Sequence, residues 1–288
     1  MKIPITLVTG FLGAGKTTFL KNYINQHREE KSLYIINEFS SLDVDGQILS
    51  ETEDRVMAIS GGSIFCKCLV ADFIAVLQDV QASVHSSHIE RVVIEASGMA
   101  NPTVIVDMLK DTKLDSAFEL KLIVSIIDSN SFLKLVHTLP NIITQVEASD
   151  VIFINKTDIH SEELVASAYA KIKEINCFVN IIKTEHAKFD NSQLEVYKEH
   201  KTLHGELAKC RDPNYEKHII EQKDITTIDD LKNRISNYPN KVYRAKGYFK
   251  IDDQLFKLEY EGNNICITEE TSKDKQLGII VITAGKQK

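Results

Sequence analysis

The chain has 288 residues, 43% of them hydrophobic, with 34 basic against 41 acidic side chains, a formal charge of −7. That is enough apolar material for a full core without disulfides or a structural metal, and the acidic balance carries no footprint for nucleic acid or an anionic membrane surface. No apolar run approaches the roughly 20 residues that span a bilayer, no secretory leader is legible, and five scattered cysteines make no disulfide framework. A cytoplasmic protein without membrane or nucleic-acid partners is expected.

In chain order, residues 3–8, 33–36, 91–95, 120–127, 151–154 and 178–182 read as strands. Most are apolar without alternation, as in strands covered on both faces. Helices are expected over 16–27, 69–83, 103–110 and 161–174. For the last, Ser161 with Glu162 and Glu163 makes a sensible first turn. This alternation predicts an α/β unit with a mostly parallel sheet. Residues 191–213 are polar and charged and read as a helical or loose connector. After them come 218–222, a helix near 228–237 started by Thr226 or Thr227, and strands over 242–251, 255–260, 264–268 and 278–283. Strands clustered after one helix predict a small α+β domain with an antiparallel sheet.

Residues 10–18, GFLGAGKTT, fit G-x-x-x-x-G-K-[ST] between an apolar strand and an amphipathic helix. Gly10, Gly13, Ala14 and Gly15 curl the backbone so that its amides point at phosphate oxygens, and the helix start adds partial positive charge. Lys16 is expected to bridge the β- and γ-phosphates, with the Thr17 hydroxyl on Mg²⁺ and Thr18 beside it. The expected organisation is thus a P-loop NTPase domain over 1–190, the connector over 191–213 and the C-terminal α+β domain over 214–288.

Residues 151–158, VIFINKTD, place N-K-x-D directly after a strand. The Asp158 carboxylate can accept two hydrogen bonds from the N1–H and N2–H₂ donors of guanine. Adenine lacks that pair and leaves the carboxylate unpaired, which commonly discriminates by several kcal/mol. Asn155 would brace the loop and the Lys156 stem would cover the base. Thr184 is a candidate for a further base contact, a plain loop threonine being equally consistent.

Residues 91–98, RVVIEASG, form an apolar strand ending in an acid with a glycine three residues on. Glu95 there can hold Mg²⁺ through water and the Gly98 amide can sense the γ-phosphate. Asn37, Glu38 and Phe39 close an earlier strand and open a polar loop to Gly46, suited to a nucleotide-sensitive switch. A solvated loop acid is the plain alternative for Glu38.

Together with Met99 to Pro102 and the C-terminal Arg244-Ala-Lys-Gly247, these ordered motifs resemble the CobW-type GTPases, relatives of the hydrogenase and urease nickel-insertion GTPases. The resemblance covers nearly the whole chain. It implies GTP hydrolysis, a two-domain build, and delivery of Zn²⁺, Co²⁺ or a related metal to a client protein. Glu95 in place of the usual aspartate also fits that family.

The family's C-x-C-C motif is altered. Aligned on Gly61 and Gly62, its first two cysteines become Ser63 and Phe65, only Cys66 coincides, and Cys68 lies two further on. In an extended segment Cys66 and Cys68 point to one side, and two thiolates suit Zn²⁺, Cu⁺ or Co²⁺, with Glu38, water or a partner completing the shell. The alternative is two cysteines packed as small hydrophobes at a helix start. His85, His88 and His186 read as loop residues before ligands, and Cys177, Cys210 and Cys266 as structural.

The expected cycle has GTP·Mg²⁺ ordering the 38–46 loop and the segment after Glu95, which repositions the cysteines between them. Intrinsic turnover should be slow, since no arginine finger or Ras-like glutamine stands in an obvious place, and a client or a second copy in a homodimer would supply the missing group. Two rivals remain: a nucleotide-driven loader of a corrinoid cofactor, and a non-catalytic nucleotide-dependent scaffold.

Overall fold

The computed structural model describes residues 2–38, 56–60, 63–67, 69–87, 89–195, 205, 215–261, 264–271, 275 and 277–284. In the first unit, strands β1 (Ile3–Thr9), β2 (Ser32–Glu38), β3 (Val56–Ser60), β4 (Arg91–Glu95), β5 (Phe118–Asp128), β6 (Val151–Asn155) and β7 (Asn180–Lys183) form a seven-stranded sheet in the order β3-β2-β4-β1-β5-β6-β7. Each neighbouring pair is parallel. The apolar runs alternate between two cores: Ile5 and Leu7 of β1 pack on one face of the sheet, Val8 on the other. That double coverage is why these strands lack polar alternation.

The helices are α1 (Lys16–Gln26), α2 (Val70–Ser87), α3 (Val104–Asp111), α4 (Ser129–Leu135), α5 (Pro140–Ala148) and α6 (Glu162–Ile175). Helix α1 buries Phe19, Leu20, Tyr23 and Ile24. Ser161 caps α6 by accepting from the Leu164 amide at 3.3 Å, as expected. Three elements were not expected. Strand β3, VMAIS, is apolar but only five residues long, an edge strand with Met57 and Ala58 exposed. Helices α4 and α5 are too short for clear periodicity, although Asp128 caps α4 and Pro140 opens α5. The last parallel strand also starts later than 178, because Phe178 is 71% exposed.

The second unit holds β8 (Tyr215–Ile220), helix α7 (Ile228–Ser236), β9 (Val242–Ile251), β10 (Gln254–Glu261), β11 (Asn264–Glu269) and β12 (Gly278–Ala284). Its strands form an antiparallel sheet in the order β11-β10-β9-β12-β8. Thr227 is the helix cap, accepting from the Asp230 amide at 3.1 Å. One face of this sheet packs on α7 through Phe249, Leu258, Ile279 and Val281. The other face carries Tyr248, Leu255, Ile280 and Ile282, which share one apolar cluster with Phe11, Leu12 and Met99 of the first unit. The loop of residues 10–15 that connects β1 to α1 therefore also packs on the second sheet, through Phe11 and Leu12. A 3-10 turn at Asn191–Leu194 lies in the expected connector, and Leu194 packs on the first unit. Among the described residues no helix is long and apolar enough to cross a membrane.

Candidate nucleotide-binding site

The site lies at the carboxyl ends of the parallel strands, where the order turns at β1 between β4 and β5. Gly10 has φ 129° and Gly15 φ 109°, and a Cβ at either would sit 2.1 Å from the Ile126 carbonyl oxygen or 2.3 Å from Asn155 Nδ2. Only glycine allows that curl against its neighbours. The Phe11 carbonyl accepts from the Ala14 amide at 3.3 Å and from Lys16 Nζ at 3.2 Å. Lys16 is 5% exposed, so its ammonium is held over the loop rather than in solvent. Thr17 is half-buried and Thr18 exposed.

Glu95, at the end of β4, is 3% exposed. Thr17 Oγ1 donates to its Oε1 at 3.3 Å, while its Oε2 is buried with no hydrogen-bond partner. Burial raises the Glu95 carboxyl above the ordinary glutamate range, against the opposing charges of Lys16 and Arg244 and the Thr17 hydrogen bond. Arg244 comes from β9, some 230 residues beyond the phosphate loop in sequence. Its influence on Glu95 is a site feature that sequence reasoning missed: the residue was noted only as part of a C-terminal motif, and spacing along the chain gives no sign of the approach.

Gly98 lies against the phosphate loop, since a Cβ there would sit 2.7 Å from the Leu12 amide nitrogen. Asn37 joins the neighbouring segments. Its Oδ1 accepts from the Ser97 amide at 3.2 Å and from the Ile64 amide at 2.9 Å, and its Nδ2 donates to the Ile59 carbonyl at 3.2 Å. One buried side chain thus holds together the ends of β2 and β3, the loop after Glu95, and the segment leading to Cys66.

At the base end, Asn155 is 2% exposed. Its Nδ2 donates to the Ala14 carbonyl at 2.9 Å and its Oδ1 accepts from the Ala187 amide at 2.8 Å, the brace its motif predicts. Asp158 remains open, with His186 Nε2 at 4.0 Å. Thr184 is buried and its hydroxyl donates to the Lys188 carbonyl at 2.6 Å, while its own carbonyl accepts from Thr157 Oγ1 at 3.1 Å. It thereby shapes the 184–188 loop. Asn22 of α1, absent from the sequence reading, donates to the His186 and Ala187 carbonyls at 3.0 Å each.

Lys156 adopts φ 63°, a left-handed conformation that turns its side chain back toward β5. Asp128 at the end of β5 lies 3.6 Å from Lys156 Nζ and 2.9 Å from His160 Nε2, and accepts from the Ser131 amide at 2.8 Å. Burial works to raise the Asp128 carboxyl, yet hydrogen bonds from His160 and Ser131 and the Lys156 charge hold it below the ordinary aspartate range.

Cys66 is 6% exposed, and its carbonyl accepts from the Leu69 and Val70 amides at 3.2 and 3.1 Å where α2 begins. Cys68, His88, Cys210, the 39–46 loop, and the side chains of Glu38 and His85 lie outside the described residues. Among the described residues no three His, Cys, Asp or Glu side chains are grouped to hold a metal ion. Cys177 and Cys266 are exposed and unpaired.

A parallel sheet with a phosphate loop after its first strand, an acid closing a neighbouring strand and N-K-x-D closing another defines the P-loop GTPase class. A model of the CobW/HypB/UreG nucleotide-binding domain matches residues 4–183. The chain belongs to this family. Two curated relatives match over most of their length. The zinc chaperone YjiA of Escherichia coli K12 is 25% identical over 277 residues, covering 90% of this chain and 86% of its own. The zinc chaperone CobW of Pseudomonas aeruginosa is 22% identical over 306 residues, 91% of this chain and 80% of its own. Among solved structures, the Zn(II)-bound YjiA GTPase from E. coli covers 99% of this chain and 95% of its own at 19% identity, with a TM-score of 0.51, a likeness of fold.

Proposed function

We propose that this protein binds and hydrolyses GTP with Mg²⁺ and uses its nucleotide state to control the hand-over of a transition metal, zinc before cobalt, to a client protein. The observation that carries the coupling is Asn37, whose single carbonyl oxygen serves both the Ser97 amide beside the phosphate site and the Ile64 amide beside Cys66. A triphosphate that moves the 95–98 loop must therefore bear on the cysteine segment. The naming of two relatives as zinc chaperones supports zinc as cargo.

The residues fit the nucleotide and its cation. The curl over residues 10–15 is possible because Gly10 and Gly15 carry no Cβ to strike the Ile126 carbonyl and Asn155, and the Lys16 ammonium held over the loop would supply the cation of a β/γ-phosphate bridge. The Thr17 hydroxyl and the unpartnered Glu95 Oε2 are hard oxygen donors, which Mg²⁺ prefers. Bound there, Mg²⁺ would neutralise charge on the phosphate oxygens. Asp158 reads the guanine edge, Lys156 covers the base, Asn155 and Thr184 hold the loops, and the Gly98 amide faces the γ-phosphate.

Cys66 and Cys68, with Glu38, are the proposed cargo ligands. Thiolates suit zinc, and a client or a second copy of the chain completes the shell. The functional division is a nucleotide unit over 1–190, a connector over 191–213 and a C-terminal domain over 214–288, a reading supported by the two distinct sheets. Turnover should be slow, on the order of 10⁻² s⁻¹ or below without a partner. The test is a zinc titration of the GTP- and GDP-loaded protein. We expect zinc affinity to differ at least about fivefold between the two states, a typical coupling, and the difference to vanish in Cys66→Ser/Cys68→Ser. Equal zinc affinities in both states would end the proposal.

A further inference from the structure

Among the residues by which the second sheet meets the nucleotide unit, Tyr243 owes its position to an irregularity of the sheet. In the pairing of β9 with β12, Ile282 lies opposite Arg244 but Thr283 lies opposite Val242, so Tyr243 is the extra residue of a bulge. Bulges re-aim side chains and recur beside active sites. Here Tyr243 turns onto the ring of Phe11 in the phosphate loop, edge to face at 6.0 Å between centroids. Arg244, Lys246 and Tyr248 share one face of β9 by strand alternation, and Tyr248 lies in the cluster with Phe11, Leu12 and Met99. Ala245 and Phe249 point the other way, into the core under α7. Arg244 thus lies on the face that packs against Phe11 and Leu12 of the phosphate loop and Met99 beyond Glu95. Glu95 feels its charge together with that of Lys16.

We propose that Arg244 is a catalytic residue supplied in cis by the second sheet, its guanidinium reaching the γ-phosphate of bound GTP and stabilising charge in the transition state. In that step a water oxygen bonds to the γ-phosphorus while the bond from phosphorus to the bridging oxygen breaks. The electron pair leaves with GDP, and the water's proton ends on the released phosphate. Charge gathers on the γ- and bridging oxygens, where a planar guanidinium can donate twice. The anchoring of Tyr243 on Phe11 ties this cation to the same loop that cradles the phosphates, so the second sheet becomes part of the active centre. The proposal rests on the GTP reading above.

The test compares full-length wild type, Arg244→Ala, Arg244→Lys and Lys257→Ala in GTP turnover with Mg²⁺, alongside GTP affinity and melting temperature. Lys257 lies on the same sheet as a charge control, paired with Glu259 at 3.0 Å. An arginine finger, in cis or in trans, is worth about 10³–10⁵ in kcat. We expect Arg244→Ala to lose about 10²-fold or more in kcat with GTP affinity within about threefold, and Lys257→Ala to stay within twofold. Millimolar guanidinium should restore part of the Arg244→Ala rate, and aluminium fluoride should trap GDP on wild type but not on that variant. Arg244→Lys, which keeps the charge and loses the fork, should fall between and remain informative if the alanine variant is unstable. An Arg244→Ala rate within twofold of wild type, an equal loss in Lys257→Ala, or no guanidinium rescue would overturn the proposal while leaving GTP binding intact. A wild-type chain that fails to bind GTP would overturn this and the GTP reading together.

Discussion

Asn155 donates to the carbonyl of Ala14 at 2.9 Å, joining the end of β6 to the phosphate loop across 141 positions of sequence. Its Oδ1 at the same time takes the Ala187 amide, so the base loop, the phosphate loop and the 184–188 loop meet on one buried amide. Replacing Asn155 with alanine leaves a buried carbonyl and a buried amide without partners. Each such group costs about 1–3 kcal/mol. We expect Asn155→Ala to lose about 2–4 kcal/mol in urea denaturation and to weaken GTP binding at least tenfold. A variant as stable as wild type would refute the brace.

The pH dependence of magnesium use should follow Glu95. Burial raises its carboxyl above the ordinary value, so the nucleotide-free fold favours the protonated form. The ionised form costs stability once the pH passes the unfolded value, and that cost is complete above the folded one. Cation binding must displace the proton, so Mg²⁺ affinity should rise with pH through the raised value. Glu95→Gln should flatten that dependence beyond what GTP's own titration produces. It should also raise the melting temperature of the nucleotide-free chain at neutral pH by about 2–4 °C, the equivalent of roughly 1 kcal/mol. Magnesium titrations at pH 6 and 8, with melting curves, check both. Equal pH slopes in the two proteins would count against Glu95 as the titrating group.

Asp128 carries the opposite sign. Its carboxyl is held below the ordinary value of 3.8 by His160, the Ser131 amide and Lys156 despite its burial. Its stabilising contribution is therefore present above that value and lost as the pH falls through the depressed one. Asp128→Asn should cost about 1.5–3 kcal/mol at pH 7, the scale of a charged hydrogen bond, and nothing at strongly acidic pH where both proteins carry neutral groups. It also removes the carboxylate 3.6 Å from Lys156 Nζ, so GTP affinity should fall several-fold. Denaturation at pH 7 and at pH 2–3 measures the first effect, and a difference that persists undiminished in acid would contradict it.

Asn37 should separate coupling from binding. Asn37→Asp keeps an oxygen for the Ser97 and Ile64 amides, whereas Asn37→Ala leaves both without a partner. We expect the alanine variant still to bind GTP but to show one zinc affinity in the GTP and GDP states, and the aspartate variant to keep most of the difference. Paired zinc titrations decide it. Undiminished coupling in Asn37→Ala would remove this side chain from the route.

Much of this molecule is legible in its sequence. A glycine-rich loop between an apolar run and an amphipathic run, and N-K-x-D after another run, are local patterns whose chemistry depends on neighbours a few residues away. Doubly buried strands announce themselves because both faces must be apolar, and Ser161 announces a helix start because its hydroxyl serves an amide three residues on. Short elements were not legible: β3, α4 and α5 are stabilised by what they pack against, since a few residues carry too little propensity to declare themselves.

The tertiary structure alone decided the rest. That Asn37 would serve both the Ser97 and Ile64 amides, that Asn22 would clasp the 186–187 carbonyls, and that a bulge would turn Tyr243 onto Phe11 are consequences of chain crossing and sheet register. Hydrogen bonds and charges act over a few ångströms of space whatever the separation in sequence. Sequence by itself therefore determined the class of the nucleotide-binding domain and the local motifs that mark it. Packing determined which distant side chains stand close enough to act on them.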